Sequence, residues 1–280
     1  MILAVAADKG SPGASTLATA LALVWPGRRL LVETDPAGGT AGFRLHHRDT
    51  GELLQPDPSL AALAAAARLG LPPGGLPKFS QPTNLGFGVI PGFLTAERFA
   101  AMRLLWPLLA GELTRWVGTA ICDVGRLQPG TAAFPVVKAA DAVVLLGRLD
   151  LEGLFQLRER AIELTQVVTD PAKDGNPVTV VLTGEVKHRA AALDQAEQMF
   201  AASGYPIEVA GFFARDEAAA QSLSSPAPVS RRLAKSVLVT SARSLAEQLI
   251  GRWPQLLTQE PSPVAASAPE HTHDQEAART

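Results

Sequence analysis

Cysteine is almost absent: Cys122 is the single one in 280 residues. One thiol excludes an internal disulfide framework, and it excludes a zinc or iron–sulfur centre held by the cysteines of one chain. So little cysteine fits a reducing compartment. No sign of charge dominates either, with 25 basic against 27 acidic residues and a net charge of −2. That balance does not call for nucleic acid or an anionic membrane surface as a partner. Nowhere does the chain run for about 18 uncharged apolar residues, which argues against a membrane span. The apolar start, Met1 to Ala7, has no basic segment before it and stops at Asp8-Lys9, a poor signal peptide. The expectation is a cytoplasmic protein. Lysine is scarce as well, 6 residues against 19 arginines, so a lysine inside a glycine-rich loop stands out.

What the sequence does have is apolar residues, 47% hydrophobic against 19% charged. This is enough for a sizeable core, and the length suits one large domain or two small ones. Short apolar runs alternate with longer helical patterns. Residues 2–7, 30–32, 86–90, 119–122, 142–146, 178–182 and 207–212 read as strands. Helical patterns fall at 15–23, 60–68, 96–116, 151–168, 190–203 and 241–253. Continuously apolar strands separated by helices predict parallel pairing through βαβ crossovers, with helices on both faces. The expected class is α/β, a doubly wound and mostly parallel sheet. The proline- and glycine-rich stretch 69–84 reads as a surface connection. After Trp253 the chain loses periodicity, so the expected division is a domain over 1–253 and a disordered tail over 254–280.

The strongest local signal is Ala7-Asp8-Lys9-Gly10-Ser11-Pro12-Gly13-Ala14-Ser15-Thr16, directly after the first strand and opening the first helix. Glycines let a backbone turn sharply and approach a phosphate, and the N–H groups of a helix start favour an anion. The standard phosphate-loop spacing is G-x-x-x-x-G-K-[ST]. Gly13 and Ser15 fit it, whereas Asp8 stands for the first glycine and Ala14 for the lysine.

The loop resembles the deviant Walker A of the ParA/MinD family of P-loop ATPases (the SIMIBI class), K-G-G-x-G-K-[ST]. Lys9, Gly10, Gly13, Ser15 and Thr16 match that pattern; Ser11 departs mildly and Ala14 seriously. The resemblance continues in Leu30-Leu31-Val32-Glu33-Thr34-Asp35-Pro36-Ala37-Gly38, similar to a strand followed by D-x-D-P-x-G, with Glu33 at the first aspartate. Ala120-Ile121-Cys122-Asp123 resembles Walker B, Ala140-Asp141-Ala142-Val143 the family's "ADxVxxV" strand, and Ala214-Arg215-Asp216 its P-x-D beside the adenine. The resemblance implies a P-loop fold, ATP and Mg²⁺ as cofactors, and a homodimer that recruits a protein partner. It also implies a role for each residue. Lys9 reaches the phosphates across the dimer, and Asp35 helps orient the hydrolytic water. Ser15 and Asp123 serve the magnesium. Lys9, Gly10, Ser11, Gly13, Ala14, Ser15, Thr16, Arg215 and Asp216 surround the nucleotide.

The departures bear on mechanism. A lysine–phosphate hydrogen bond contributes roughly 1.5–3 kcal/mol, and Ala14 cannot supply it. Asp8 adds negative charge near the loop, and Thr183 stands where the family has a base-reading asparagine. The expectation is weak ATP binding and slow or absent hydrolysis in a degenerate member. Such a protein would act in spatial organisation: partitioning, polar positioning or assembly of a secretion or pilus machine. Relatives of the TadZ/CpaE type, with atypical loops, are the nearest analogy. Two alternatives stay open: a working ATPase that binds duplex DNA nonspecifically through Arg231, Arg232, Lys235 and Arg243, and a nucleotide-free scaffold. The nitrogenase iron-protein branch needs two cysteines per subunit and is disfavoured. His46-His47 reads as a solvated loop rather than a metal site, Cys122 as a small buried residue, and the tail lacks a membrane-targeting basic helix.

Overall fold

A computed structural model describes residues 1–8, 13–72, 75–127, 130–169 and 176–257. Its strands are β1 (Ile2–Ala7), β2 (Arg29–Glu33), β3 (Gln81–Pro82), β4 (Gly88–Ile90), β5 (Thr119–Arg126), β6 (Ala142–Arg148), β7 (Val178–Gly184) and β8 (Glu208–Ala214). They form one sheet in the order β3-β4-β2-β5-β1-β6-β7-β8. Every pairing is parallel except β3 with β4. The doubly wound, mostly parallel sheet expected from the apolar runs is the one observed.

The first helices are α1 (Ala14–Val24), α2 (Ala41–Arg44), α3 (Leu60–Ala67), α4 (Ala96–Ala101), α5 (Trp106–Arg115) and α6 (Phe134–Ala139). After them come α7 (Leu151–Val168), α8 (Arg189–Ala201), α9 (Glu217–Ser222), α10 (Arg231–Ala234) and α11 (Val237–Arg252). Alternate residues of the buried strands feed two cores. On one face Ile2, Ala4 and Cys122 pack under α3, α5, α6, α7 and α8. On the other, Leu3, Val5 and Ile121 pack under α1 and α11. A strand wrapped on both faces needs apolar side chains in both directions, which is why these runs do not alternate. Asp141 anchors this centre, its Oδ2 accepting the Ile2 N–H at 2.7 Å at the start of β1. No helix among the described residues is long and apolar enough to cross a membrane.

The structure departs from the sequence reading in several places. The helix expected over 96–116 is broken into α4, a 3-10 turn over Arg103–Leu105, and α5. Pro107 sits in the first turn of α5, where its missing N–H is harmless, and cannot continue a helix from upstream. The connection 69–84 carries a 3-10 turn (Leu76–Phe79) and the edge strand β3, with Leu76 buried. The last helix begins at Val237 rather than 241, because Ser236 caps it with its hydroxyl on the Val239 N–H. His46 and His47 lie in isolated β-bridges, to Leu53 and Thr83. No cluster of three potential metal-ligating side chains occurs among the described residues. Arg231 and Arg232 are exposed on α10, which Leu233 ties to the core.

The packed chain also extends past Trp253. Pro254–Leu256 forms a 3-10 turn with Leu256 fully buried. Trp25 Nε1 donates to Thr119 Oγ1 at 3.0 Å, and that hydroxyl donates to the Leu256 carbonyl. A boundary drawn at 253 would cut this relay. Leu256→Ala is expected to cost about 2–4 kcal/mol, the range for emptying a buried leucine site, measured by denaturant unfolding; a loss under about 0.5 kcal/mol would show that the turn is not part of the core.

Candidate functional site

Because β1, β2, β5 and β6 are parallel, their C-terminal ends open on one edge of the sheet. In open α/β sheets ligands bind in the crevice at that edge. The residues singled out from the sequence converge there, apart from Lys9, Gly10 and Ser11, which lie outside the described residues. Gly13 precedes α1 with φ +100° and ψ 36°, a left-handed conformation that favours glycine. Its carbonyl accepts the Leu17 N–H at 2.9 Å and starts the helix. Ala14 is buried, 7% exposed. Ser15 and Thr16 are half-buried in the first turn.

Asp123, 2% exposed within β5, has the Ser15 hydroxyl beside it, which favours the ionised carboxylate. The Asp123 Oδ1 accepts the Gly125 N–H at 3.0 Å. Burial raises the Asp123 carboxyl to about 7, opposed by the nearby Ser15 hydroxyl and the Gly125 N–H and aided by the negative charges of Glu33 and Asp35. Asp35 is also pushed above the usual carboxylate range, first by burial and then by Glu33, against the hydrogen bond from the Ala37 N–H at 2.8 Å. Its carboxyl lies over Gly125, whose φ of +61° and lack of Cβ leave the room; any Cβ there would overlap the carboxyl atoms. Gly125 thus holds Asp35 and Asp123 in one acidic corner.

Glu33, read from the sequence as a stand-in for the first aspartate, does something different. Its Oε1 accepts the Thr40 and Ala41 N–H groups at 2.6 and 2.7 Å, and its Oε2 the Gly92 N–H at 2.9 Å. The carboxylate is consumed in fastening two loops to the end of β2. Asp8 is likewise occupied: its Oδ1 accepts from Arg160 Nε on α7 at 2.9 Å, and its carbonyl accepts from Arg126 Nε at 2.9 Å. The negative charge expected to burden the loop is therefore paired. Cys122 is buried, and burial pushes its thiol up to about 12, so it stays protonated and unreactive.

Toward β8 the crevice widens into a cleft of about 510 Å³, within the usual range of small-molecule sites. It brings Gly13 and Thr16 together with Thr183, Glu185, Arg215 and Asp216. The Asp216 carboxylate caps α9 through the Ala219 N–H at 3.0 Å, and Arg215 pairs with Glu217 at 2.6 Å. Among the charged cleft residues that escaped the sequence reading are Arg148 and Glu185. Arg148 ends β6 and Glu185 follows β7. The signal available for both was a charged residue just past a buried strand, at the edge where ligands bind.

No protein-family model and no curated protein sequence matches the chain. Solved structures do. A ParA family ATPase from Chlorobium tepidum TLS superposes with TM-score 0.65 at 20% identity, over 88% of this chain and 97% of that one. The Pyrococcus furiosus cell division ATPase MinD gives TM-score 0.66 at 17% identity, over 90% and 98%. The MinC:MinD cell division protein complex of Aquifex aeolicus gives 0.59 at 14% identity, over 89% and 95%. At these identities the likeness establishes the fold: the chain has the architecture of ParA- and MinD-type P-loop proteins along nearly their whole length.

Proposed function

We propose that this chain is a degenerate ParA/MinD-like nucleotide-binding protein that acts in spatial organisation, with weak or no hydrolysis of ATP. The observation that carries the reading is the placement of Ser15, at the start of α1 beside the cleft, next to the buried Asp123 carboxyl, combined with an alanine at 14. A hydroxyl and a carboxylate are the hard oxygen donors that Mg²⁺ takes, and Mg²⁺ characteristically uses one or two carboxylates together with phosphates. Ser15 and Asp123 fit that donor set. Mg²⁺ held there would neutralise phosphate charge.

The rest of the work falls to the chain's own residues. Gly13 and Thr16 line the loop side of the cleft, while Arg215 and Asp216 line its other end, where the base is assigned. Asp35 is assigned to orient water, and the raised affinity of its carboxyl for protons suits a group that accepts one. The missing Ala14 ammonium weakens phosphate binding, and a second copy of the chain contributing Lys9 would restore part of it. Such a dimer assembles with nucleotide and presents a surface to a protein partner, as the MinD of Aquifex aeolicus is found with MinC. A slow or silent loop favours the assembly and polar-positioning roles of TadZ/CpaE-type proteins over rapid cycling.

Calorimetric titration with Mg-ATP, run beside Lys9→Ala, tests the reading. Micromolar binding that the variant weakens at least tenfold supports a dimer-dependent nucleotide switch. Turnover at ordinary ATPase rates, abolished by Asp35→Ala, would overturn the claim of impaired hydrolysis. No binding up to millimolar Mg-ATP would overturn nucleotide binding altogether and leave a scaffold.

A further inference from the structure

We propose that Arg148 supplies the phosphate-binding cation that the loop lacks at Ala14. The proposal rests on the nucleotide reading above and adds a residue to it. Arg148 ends β6, the strand hydrogen-bonded to β1 with Ala7 opposite Leu146. It therefore leaves the sheet two residues beyond that pair, on the edge where the loop leaves β1. Adjacent strands lie about 4.8 Å apart, so its backbone is one strand from the end of β1.

The side chain is about half exposed, at 55%, and its Nε pairs with Asp150 Oδ2 at 3.0 Å. Asp150 is itself fixed, its Oδ1 accepting the Gly153 N–H at 2.8 Å as the cap of α7. The guanidinium is thus held at the crevice by one nitrogen. Its two terminal nitrogens make no hydrogen bond among the described residues, and a planar fork of that kind suits bidentate contact with phosphate oxygens. Arg148 lines the cleft that holds Gly13 and Thr16, and also a neighbouring cleft of about 540 Å³ that reaches Asp8. It thus lies beside the described residues on either side of the loop, Asp8 and Gly13.

The other arginines near this edge are differently engaged. Arg160 is shared between Asp8 and Glu163 at 2.9 and 2.7 Å. Arg126 holds the Asp8 carbonyl and lines neither of the two clefts. Arg215 follows β8, three strands from β1, roughly 14 Å across the sheet, and pairs with Glu217. Arg148 combines nearness to the loop, an open fork and a wall of the cleft.

The test is calorimetry with Mg-ATP on wild type, Arg148→Ala, Arg148→Gln and Arg148→Lys, with melting temperatures recorded alongside. Arg148→Ala and Arg148→Gln are expected to raise Kd about 10- to 100-fold, the loss of a charge-assisted contact. Arg148→Lys, which keeps the charge without the fork, should recover part of that. Melting temperatures should stay within about 2 °C, because the Arg148–Asp150 pair is exposed. Wild-type binding that Arg148→Gln leaves within twofold would overturn the role of Arg148 while leaving the nucleotide reading intact. If wild type binds no Mg-ATP at millimolar concentration, both fall.

Discussion

Glu33→Ala is expected to destabilise the protein by about 3–5 kcal/mol, the largest effect of any single change considered. Removing one partner of a buried, hydrogen-bonded charge leaves the others unsatisfied, and such losses fall in that range. Here the orphans are the N–H groups of Thr40, Ala41 and Gly92, from two separate loops. Glu33 is 3% exposed, so water cannot readily replace it. The surrounding chain is cut to fit this carboxylate. A Cβ at Gly92 would come within 2.9 Å of the Glu33 carbonyl oxygen, and one at Gly39 would overlap the carboxylate itself. Glu33→Gln keeps one acceptor oxygen and turns an amide toward a donor, which should cost a smaller amount, about 1–3 kcal/mol. Denaturant unfolding of both variants measures this. A loss below about 1 kcal/mol for Glu33→Ala would show that the loops are fastened some other way. Because one of these loops, that carrying Thr40, leads out of Asp35, the variant should also loosen the acidic corner.

The second large effect is a pH dependence centred on Asp123. Its carboxyl titrates near 7 in the fold, against about 3.9 in an unfolded chain. The sign follows from proton counts. Between about pH 4 and 7 the folded protein holds a proton that the unfolded chain has released, so stability falls as pH rises through that window. Above about 7 both states are ionised and the dependence levels off. The full difference is on the order of 4 kcal/mol. Asp35, raised for the same reason, adds in the same direction. The expected observation is a protein more stable at pH 5 than at pH 8, with much of that slope missing in Asp123→Asn. A wild-type curve that is flat or rises from pH 5 to 8 would contradict it. The shift also bears on function, since a cation bound at Ser15 and Asp123 favours the ionised carboxylate that burial opposes.

Much of this was legible in the chain. Strands β1, β2, β6 and β7 were read within two residues of their observed bounds because two-sided burial demands unbroken apolar runs, a local signal, whereas β5, read as 119–122, runs on to Arg126 through the charged Asp123. The α1 start was legible from Gly13, whose left-handed turn only glycine adopts readily. Helices α2, α9 and α10 were not, because four to six residues are too few to show a helical period. The 3-10 turn that ends in Leu256 was hidden by a proline-rich stretch that looks like tail; its burial depends on the distant Thr119 and Trp25. In the candidate site, the types and spacing of Gly13, Ser15, Asp35 and Asp123 were legible as a set.

The sequence by itself determined the class of fold, the edge of the sheet to which the candidate site residues belong, and an alanine rather than a lysine at 14. Those depend on patterns within a strand, a loop or a single position. Tertiary structure alone decided what each charge is doing. Glu33 and Asp8 carry the same kind of group as Asp35 and Asp123, but one is spent on three backbone amides and the other on Arg160. Asp123 is driven toward neutrality by its burial. The physical reason is that a side chain's hydrogen-bond partners and its exclusion from water come from residues up to about 150 positions away, as Asp8 and Arg160 show. A motif records which group is present, whereas its electrostatic role belongs to the neighbours the fold brings to it.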